Sequence, residues 1–321
     1  MIDIIPKEVD VREVYRLMVG GIGPRPIALV STISKGGVVN LSPFSFYNMF
    51  GANPPIVVFS PTLRGKDSTA KDTLNNLRDV PECVVQAVTH AMVEQVSLAS
   101  TEYSSDVDEF VKSGLTAMKS DIVKPPRVKE SPFQMECTVK QIIETGSGPI
   151  AGNLVVCEVQ KIHIAKDIMT DGGIDQQKID LVGRNGDNWY TRSHGAALFE
   201  VAKPIGRTGI GFDGLPEALK KSTVLSANNL AQLANCEAVP SETESIQFIR
   251  DFKAISFHES GFNEAELRRD VKTMLSMTKS ILDHNKIRAA ELLERCIVAA
   301  LARRDTNTAW HVAVFLQANA E

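Results

Sequence analysis

The sequence predicts an α+β protein: a β-barrel with inserted helices, followed by an all-α C-terminal extension. Short runs rich in β-branched residues, separated by turns, occupy the first two thirds of the chain and favour an antiparallel barrel. After Pro240 apolar residues recur at helical spacing instead. With 321 residues the chain exceeds a typical domain of about 100 to 200 residues, so we expect more than one structural unit.

Strand-like and helical runs divide the first part of the chain. The predicted strands span 27–33, 44–50, 56–60, 82–88, 133–144 and 154–164, with helices near 72–79 and 91–100. Residues 101–132 predict a short helix at 107–112 and then a loop able to cover a ligand or a partner subunit.

The remainder of the chain has a different residue pattern. Glycine and proline become frequent from about residue 206, which indicates a connecting arm over 206–240 with a short helix at 227–234. Ser241 opens a capping box, and apolar residues keep helical spacing over 265–282 and 287–302. We therefore predict a barrel domain at 1–205, the arm, and a helical region at 241–321. The helical region would brace a dimer or recruit a partner.

Composition excludes several function classes. The net charge of −4 argues against a nucleic-acid partner, which calls for a basic face. No apolar run approaches the roughly 18 residues that span a bilayer, and the N-terminus lacks the features of a signal peptide, so we expect a cytoplasmic protein. The five cysteines stand at no metal-ligand or redox spacing, and we expect no metal site.

The segment 40–48 mixes short polar side chains with apolar surface. Asn40, Ser42 and Ser45 supply donors and acceptors, while Leu41 and Phe44 are apolar. A binding site for a flat heteroaromatic ring with one apolar end and one polar edge needs that mixture. An ordinary half-buried edge strand with solvated serines has the same pattern, and this alternative stays open.

A second segment, 64–73, is suited to a phosphate. A helix predicted from residue 72 would place its positive end beside Lys71 and Arg64, with Asp72 or Thr73 as the cap. We expect Asp72 to cap this helix and to orient Lys71. A solvated charged loop is the alternative. Together the two segments indicate a flavin mononucleotide (FMN) site.

Several blocks, in order, resemble the flavin reductase-like family, which includes flavoredoxins. The blocks are residues 25–32, 40–46, 54–60, 71–74, 131–137, 152–159 and 183–190, and the resemblance covers roughly residues 10–205. It implies a split β-barrel that binds FMN non-covalently, usually across a homodimer interface. It also implies electron exchange with a nicotinamide nucleotide or a redox partner.

The resemblance also assigns site residues by position. Those that would line the ring and ribityl chain are Ser31, Thr32, Asn40, Ser42, Phe44 and Ser45. Those that would form the phosphate end are Arg64, Lys71, Asp72 and Thr73. The spacing leaves open whether Lys66 or Lys71 holds the phosphate.

No Rossmann unit accompanies these segments. Residues 209–214 spell the dinucleotide fingerprint, but no strand precedes them and Pro216 follows at once. Any NAD(P)H co-substrate would therefore stack on the flavin, and hydride would pass directly, so we predict no catalytic acid or base. Arg25 is a candidate longer-range cation.

Three functions remain open from the sequence. The leading one is an NAD(P)H-dependent flavin or flavoprotein reductase that holds FMN. The second is a flavoredoxin-like electron carrier without NAD(P)H activity. The third is a non-enzymatic FMN-binding protein whose helical tail recruits a partner.

Overall fold

The computed structural model describes residues 1–206 and 208–319, and the chain forms two compact units, Met1–Glu200 and Val201–Glu321. The barrel domain predicted from the sequence ends at residue 205, whereas the first unit of the structure ends at Glu200. No helix within the described residues is both long and apolar enough to cross a bilayer.

The first unit contains the strands and five α-helices. The strands are β1 (Arg25–Pro26), β2 (Ala28–Ile33), β3 (Val39–Phe44), β4 (Tyr47–Ala52), β5 (Pro55–Phe59), β6 (Glu82–Ala87), β7 (Ala117–Met118), β8 (Arg127–Val128), β9 (Phe133–Glu144), β10 (Asn153–Ile164), β11 (Met169–Thr170), β12 (Gly173–Ile174), β13 (Val182–Arg184) and β14 (Tyr190–Arg192). The helices are α1 (Val11–Gly21), α2 (Asp72–Asp79), α3 (Val93–Leu98), α4 (Glu109–Ser113) and α5 (Gln176–Ile179).

Seven strands form one antiparallel sheet in the order β3-β2-β6-β9-β10-β5-β4. Strands β3 and β4 follow each other in the chain, yet they lie at opposite edges of the sheet. Because Ser45 and Phe46 alone separate them, the two edges must come close together. The sheet thus curves into a barrel that is split between β3 and β4.

This split explains one error in the sequence prediction. A continuous strand was predicted over 44–50, but β3 ends at Phe44, Ser45 and Phe46 form a bend, and β4 begins at Tyr47. The alternation of side chains continues through the bend, so it gives no sign that the chain passes from one edge to the other. The long strands β9 and β10 lie within one residue of their predicted bounds.

Both faces of the sheet are covered by apolar side chains. On one face Val30 and Phe59 pack with Leu77 of α2. On the other face Leu41 packs with Phe110 of α4. The helix α1 was not predicted from the sequence, and Asp10 caps its N-terminus by accepting from the backbone N–H of Arg12 at 2.8 Å.

The second unit is helical. Its helices are α6 (Glu217–Lys220), α7 (Ala227–Ala234), α8 (Glu242–Arg250), α9 (Glu259–Leu267), α10 (Val271–Lys279), α11 (Lys286–Ala302) and α12 (Thr306–Ala318). The helical pattern over 265–282 is not one helix, because Arg269 adopts a left-handed φ of 54° and Asp270 caps α10. Trp310 of α12 is buried and donates to the carbonyl oxygen of Leu233 at 3.1 Å. The segment predicted as an arm thus adds Leu219 and Leu233 to the core of this unit.

A buried carboxylate anchors the loop that precedes β8. Glu136 of β9 accepts from the backbone N–H groups of Asp121 (2.9 Å), Ile122 (2.6 Å) and Val123 (3.0 Å). Its carboxylate also contacts Nε2 of His163 at 2.7 Å. Burial alone would raise the pKa of Glu136, but these hydrogen bonds outweigh it and hold the pKa below its usual range.

Asp121, Glu136 and His163 also lie close enough together to ligate a metal ion. The carboxylate of Glu136, however, already accepts four hydrogen bonds, and Asp121 pairs with Lys161 at 2.6 Å. We therefore assign this cluster a structural role.

We predict that Glu136→Gln lowers the free energy of unfolding of the first unit by about 2 to 3 kcal/mol at pH 7, since an amide nitrogen would face backbone N–H donors. A group with a lowered folded pKa stabilises above its unfolded pKa of about 4.3 and loses that contribution as the pH falls through the folded value. The difference between the two proteins should therefore shrink in acid. Hydrogen exchange of the β9 and β10 amides measures it.

The matched control is Glu144→Gln, at an exposed carboxylate of the same strand that pairs with Arg78. Its effect should stay below about 1 kcal/mol. Equal losses in the two variants would contradict the anchoring role of Glu136.

Candidate functional site

The pairing of β2 with β3 determines which predicted residues share a face. Thr32 lies opposite Asn40, and Val30 lies opposite Ser42. Because side chains alternate along a strand, Thr32, Asn40 and Ser42 point to the face covered by α2, and Ser31 points to the other. The Ser31 hydroxyl is buried there and donates to the carbonyl oxygen of Pro126. The structure therefore does not bring the Ser31 side chain together with the other predicted residues.

Hydrogen bonds join the edge strand β3 to the start of α2. The amide nitrogen of Asn40 donates to Oγ1 of Thr73 at 2.9 Å and to Oγ1 of Thr32 at 3.3 Å. Thr32 is fully buried and also accepts from Asn76 at 3.1 Å. Its hydroxyl is thus occupied in holding Asn40 and α2 in place.

A small polar cavity of about 60 Å³ lies beside this contact. On one side it is lined by six of the predicted residues: Asn40, Ser42, Arg64, Lys71, Asp72 and Thr73. On the other side it is lined by residues 99–103 and by Glu109. We call this space the polar cavity.

Lys71 and Arg64 supply its positive charge. Lys71 is half-buried, and its Nζ lies 5.7 Å from the ring centroid of Phe44, which is itself buried. Burial lowers the pKa of Lys71; Glu102 acts against this shift, and Arg64 adds to it. Lys66 is exposed and does not line the cavity, so the geometry separates the two rival lysines.

Asp72 differs from its predicted role. The N-cap of α2 is Lys71, and Asp72 is the first helical residue. The Asp72 carboxylate therefore pairs with Nη2 of Arg64 at 3.0 Å instead of capping the helix or orienting Lys71. This ion pair fixes the guanidinium at the rim of the cavity.

The first turn of α2 leaves backbone donors available. Within the described part of the chain no acceptor is present for the N–H groups of Asp72 and Thr73, as is usual for the first turn of a helix. With Lys71 and Arg64 alongside, these amides form an arrangement that binds anions.

None of the residues in the far wall of the polar cavity was predicted as a site residue, although a loop within 101–132 was expected to cover a ligand or a partner subunit. Glu109 is buried, accepts from the backbone N–H of Leu41 at 3.0 Å, and has its pKa raised by burial. Ser100 and Thr101 add hydroxyls. The hydroxyl-rich run that follows α3 is the one sequence signal for this wall.

Ser45 lies apart from the polar cavity, at the bend after β3. It is half-buried, and its hydroxyl is 3.4 Å from Nε of Arg25. Ser42 thus lies at the polar cavity and Ser45 just beyond the end of β3, with Pro43 and Phe44 between them.

Comparison with known proteins identifies the family. Residues 21–177 match the model of a flavin reductase like domain. An uncharacterised protein of Halalkalibacterium halodurans is 38% identical over 187 residues, which cover 58% of this chain and 89% of that protein. One from Aquifex aeolicus is 33% identical over 200 residues, 62% of this chain and 100% of that protein. The chain belongs to the flavin reductase-like family.

Solved structures agree with this assignment. Nitrilotriacetate monooxygenase component B from Bacillus cereus matches with a TM-score of 0.58 and 28% identity, over 63% of this chain and 98% of its own. A protein from Shewanella frigidimarina, described as a flavin reductase with a split barrel domain, matches with a TM-score of 0.52 and 24% identity, over 61% and 96% of the two chains. The predicted split barrel with C-terminal helices is confirmed.

The residues present fit a flavin that ends in a phosphate. Two cations, the hydroxyl of Thr73 and two free backbone amides converge on the polar cavity. The neighbouring edge of β3 offers Ser42 beside apolar residues, as a ring with one polar edge requires.

We predict that Lys71→Gln weakens flavin binding about ten- to a hundredfold, because the chain loses a cation that can make a charge-assisted contact to a phosphate. The matched control, Lys66→Gln, removes an exposed lysine of the same segment and should leave the affinity within about twofold. Flavin fluorescence titration measures both.

The pH dependence gives a second readout. Because burial lowers the pKa of Lys71, wild-type affinity should fall as the pH rises through that lowered value. Lys71→Arg should move the fall to higher pH, since arginine stays protonated. Equal losses in Lys71→Gln and Lys66→Gln would refute the placement of the phosphate.

Proposed function

We propose that this protein is an FMN-binding oxidoreductase that accepts hydride from NAD(P)H and passes electrons to a flavin or flavoprotein acceptor. The observation that carries the proposal is the convergence of Lys71, Arg64 and the free amides of α2 on one polar cavity at the edge of the barrel. Membership of the flavin reductase-like family supports the reductase chemistry.

Within this proposal the polar cavity holds the phosphate of FMN. Lys71 and the first turn of α2 bind it, while Asp72 keeps Arg64 in position. Asn40, which Thr32 and Thr73 hold in place, would contact the ribityl chain.

The ring would lie along β3 towards Ser45. When bound, the flavin supplies the hydride-accepting chemistry, and the chain needs no acid or base of its own. The side chains of Ser42 and Ser45 would orient the polar edge of the ring, and the residues 99–103 would keep water away from the phosphate.

The acceptor is proposed from the family and from one relative. The protein from Bacillus cereus is named as one component of a monooxygenase, which supports a role in delivering electrons to a partner protein. The family match ends at residue 177, before the helical unit begins, so this unit is a candidate for bracing a dimer or for contact with a partner. A cytoplasmic location remains a prediction from the sequence.

We also propose a homodimer. Met49 and Phe50 of the edge strand β4 are 64% and 69% exposed, and an apolar edge strand favours pairing with another chain. A second copy of this chain would cover both residues.

Anaerobic mixing tests the reductase activity. We expect the yellow FMN-loaded protein to be bleached by NADH or NADPH, with the loss of flavin absorbance as the readout. A yellow protein that neither nucleotide bleaches would exclude the reductase and favour the electron carrier. A protein that binds no FMN would exclude both.

The dimer has a separate test. Phe50→Glu should convert the dimer into a monomer, because it places a charge in an apolar contact, and light scattering after size exclusion measures the mass. Val111→Glu is the matched control, since Val111 is 77% exposed on α4. Dissociation in both variants, or in neither, would count against β4 as the interface.

A further inference from the structure

Arg25 is a buried cation without an anionic partner. Its side chain is 8% exposed, and no carboxylate of the described residues lies within ion-pair distance. It donates instead to the carbonyl oxygens of Val19 (2.6 Å), Ile22 (2.5 Å) and Asn185 (2.9 Å). A buried charge without a counter-charge is unfavourable, and arginine does not escape the cost by losing its proton.

The guanidinium still has donors to offer. Of its five N–H bonds, three point to those carbonyl oxygens. The Nε–H makes a long contact of 3.4 Å with Ser45, and the second hydrogen of Nη2 has no acceptor in the part of the chain that the structure describes. Two N–H groups on one planar guanidinium match the two oxygens of a carboxylate.

Arg25 lines a second cavity, of about 330 Å³, which we call the apolar cavity. Its walls come from one side of α1, including Val14, Tyr15 and Met18, and from Phe46 at the bend after β3. Among the residues that the structure describes, Arg25 is the one charged residue in this lining. Small-molecule pockets are typically about 300 to 1,000 Å³, mostly apolar, with few polar groups, so this cavity suits a small ligand.

The bonds to Val19 and Ile22 also have a structural role, because they tie Arg25 to the C-terminal end of α1. The dipole of a helix places about half a negative charge at that end. The helix dipole therefore offsets only part of the guanidinium charge. Arg25 thus both supplies the charge of the apolar cavity and holds α1 in place as one of its walls.

We propose that the apolar cavity binds a small cyclic carboxylate, with the carboxylate on Arg25 and the ring against Val14, Met18 and Phe46. The rings of Tyr15 and Phe46 already meet edge to face, with centroids 6.2 Å apart, and offer a surface on which a planar ring packs. The charge of Arg25 selects an anion, and the walls select an apolar body.

The position of this cavity relates it to the proposed flavin site. Phe46 follows β3, whose Ser42 lines the polar cavity, and Thr62 precedes Arg64 by two residues. The inference rests on the proposed function in one respect, namely that the carboxylate would lie beside the flavin. Binding of the carboxylate itself does not depend on it.

A ligand-observed NMR titration tests the proposal, with benzoate as the anionic probe and benzyl alcohol as the neutral one. Both are titrated into the full chain, with and without saturating FMN. We expect benzoate to bind about tenfold more tightly than benzyl alcohol in both forms, as one charge-assisted contact predicts.

Three variants separate the contribution of charge from that of shape. Val14→Phe should weaken binding of both probes, because the larger side chain narrows the cavity where the ring would pack, whereas Leu17→Phe, on α1 but outside the lining, should leave both unchanged. Arg25→Gln should abolish the preference for benzoate while benzyl alcohol still binds. If Arg25→Gln displaces α1, the pair of variants on α1 still decides whether this cavity is the site.

Equal affinities for the two probes, or benzoate affinity that is unchanged in Val14→Phe, would overturn the proposal. So would loss of benzoate binding at saturating FMN, because the flavin ring would then occupy the cavity. Benzoate binding as expected in a protein that holds no FMN would leave this inference standing and would refute the proposed function.

Discussion

The hydrogen bond from Asn40 to Thr73 joins the edge strand of the barrel to the first turn of α2, and the candidate site depends on it. An edge strand has unpaired groups on one side and no neighbouring strand to fix its distance from the next element. Here the amide of Asn40 sets that distance, because it bonds both to Thr73 and to Thr32 on the neighbouring strand. The polar side of β3 and the positive end of α2 are thereby joined by side-chain hydrogen bonds.

The two cations at this surface differ in whether they have a carboxylate partner. Arg64 has a carboxylate partner in Asp72, which fixes the orientation of the guanidinium and leaves the pair without net charge. Lys71 has no such partner within ion-pair distance among the described residues, and burial disfavours its charged form. An incoming dianion would therefore gain most from Lys71, because the lysine is the cation whose desolvation is not yet compensated. This difference makes Lys71, rather than Arg64, the sharper probe of the site.

Much of the fold was accessible from the sequence, since the long strands β9 and β10 and the helix α2 carry strong local patterns. The segment 40–48 and the turn at 64–73 were likewise visible, because the required residue types stand close together in the chain. What escaped prediction depends on tertiary structure. The chain changes edges between Phe44 and Tyr47 without a break in the alternation. The helix α2 spans the predicted residues, but its N-cap is Lys71 rather than Asp72 or Thr73, which leaves the Asp72 carboxylate to pair with Arg64. The far wall at 99–103 faces the site only after α3 and α4 have packed on the sheet.

The segment from Asn40 to Phe46 borders two cavities of opposite character, and this arrangement follows from the split in the barrel. At one end β3 faces α2, whose helix start requires polar partners, and the cavity there is small and polar. At the other end the chain leaves the sheet after Phe44, and Phe46 packs against Tyr15 of α1. A cation stands at each end, Lys71 and Arg25, and neither has a carboxylate within ion-pair distance in the described residues. A half-buried cation and a buried one, neither of them held in an ion pair, carry a desolvation cost on one short edge of the barrel. Anionic ligands would offset that cost, and this is the physical reason to expect two anionic groups at this edge.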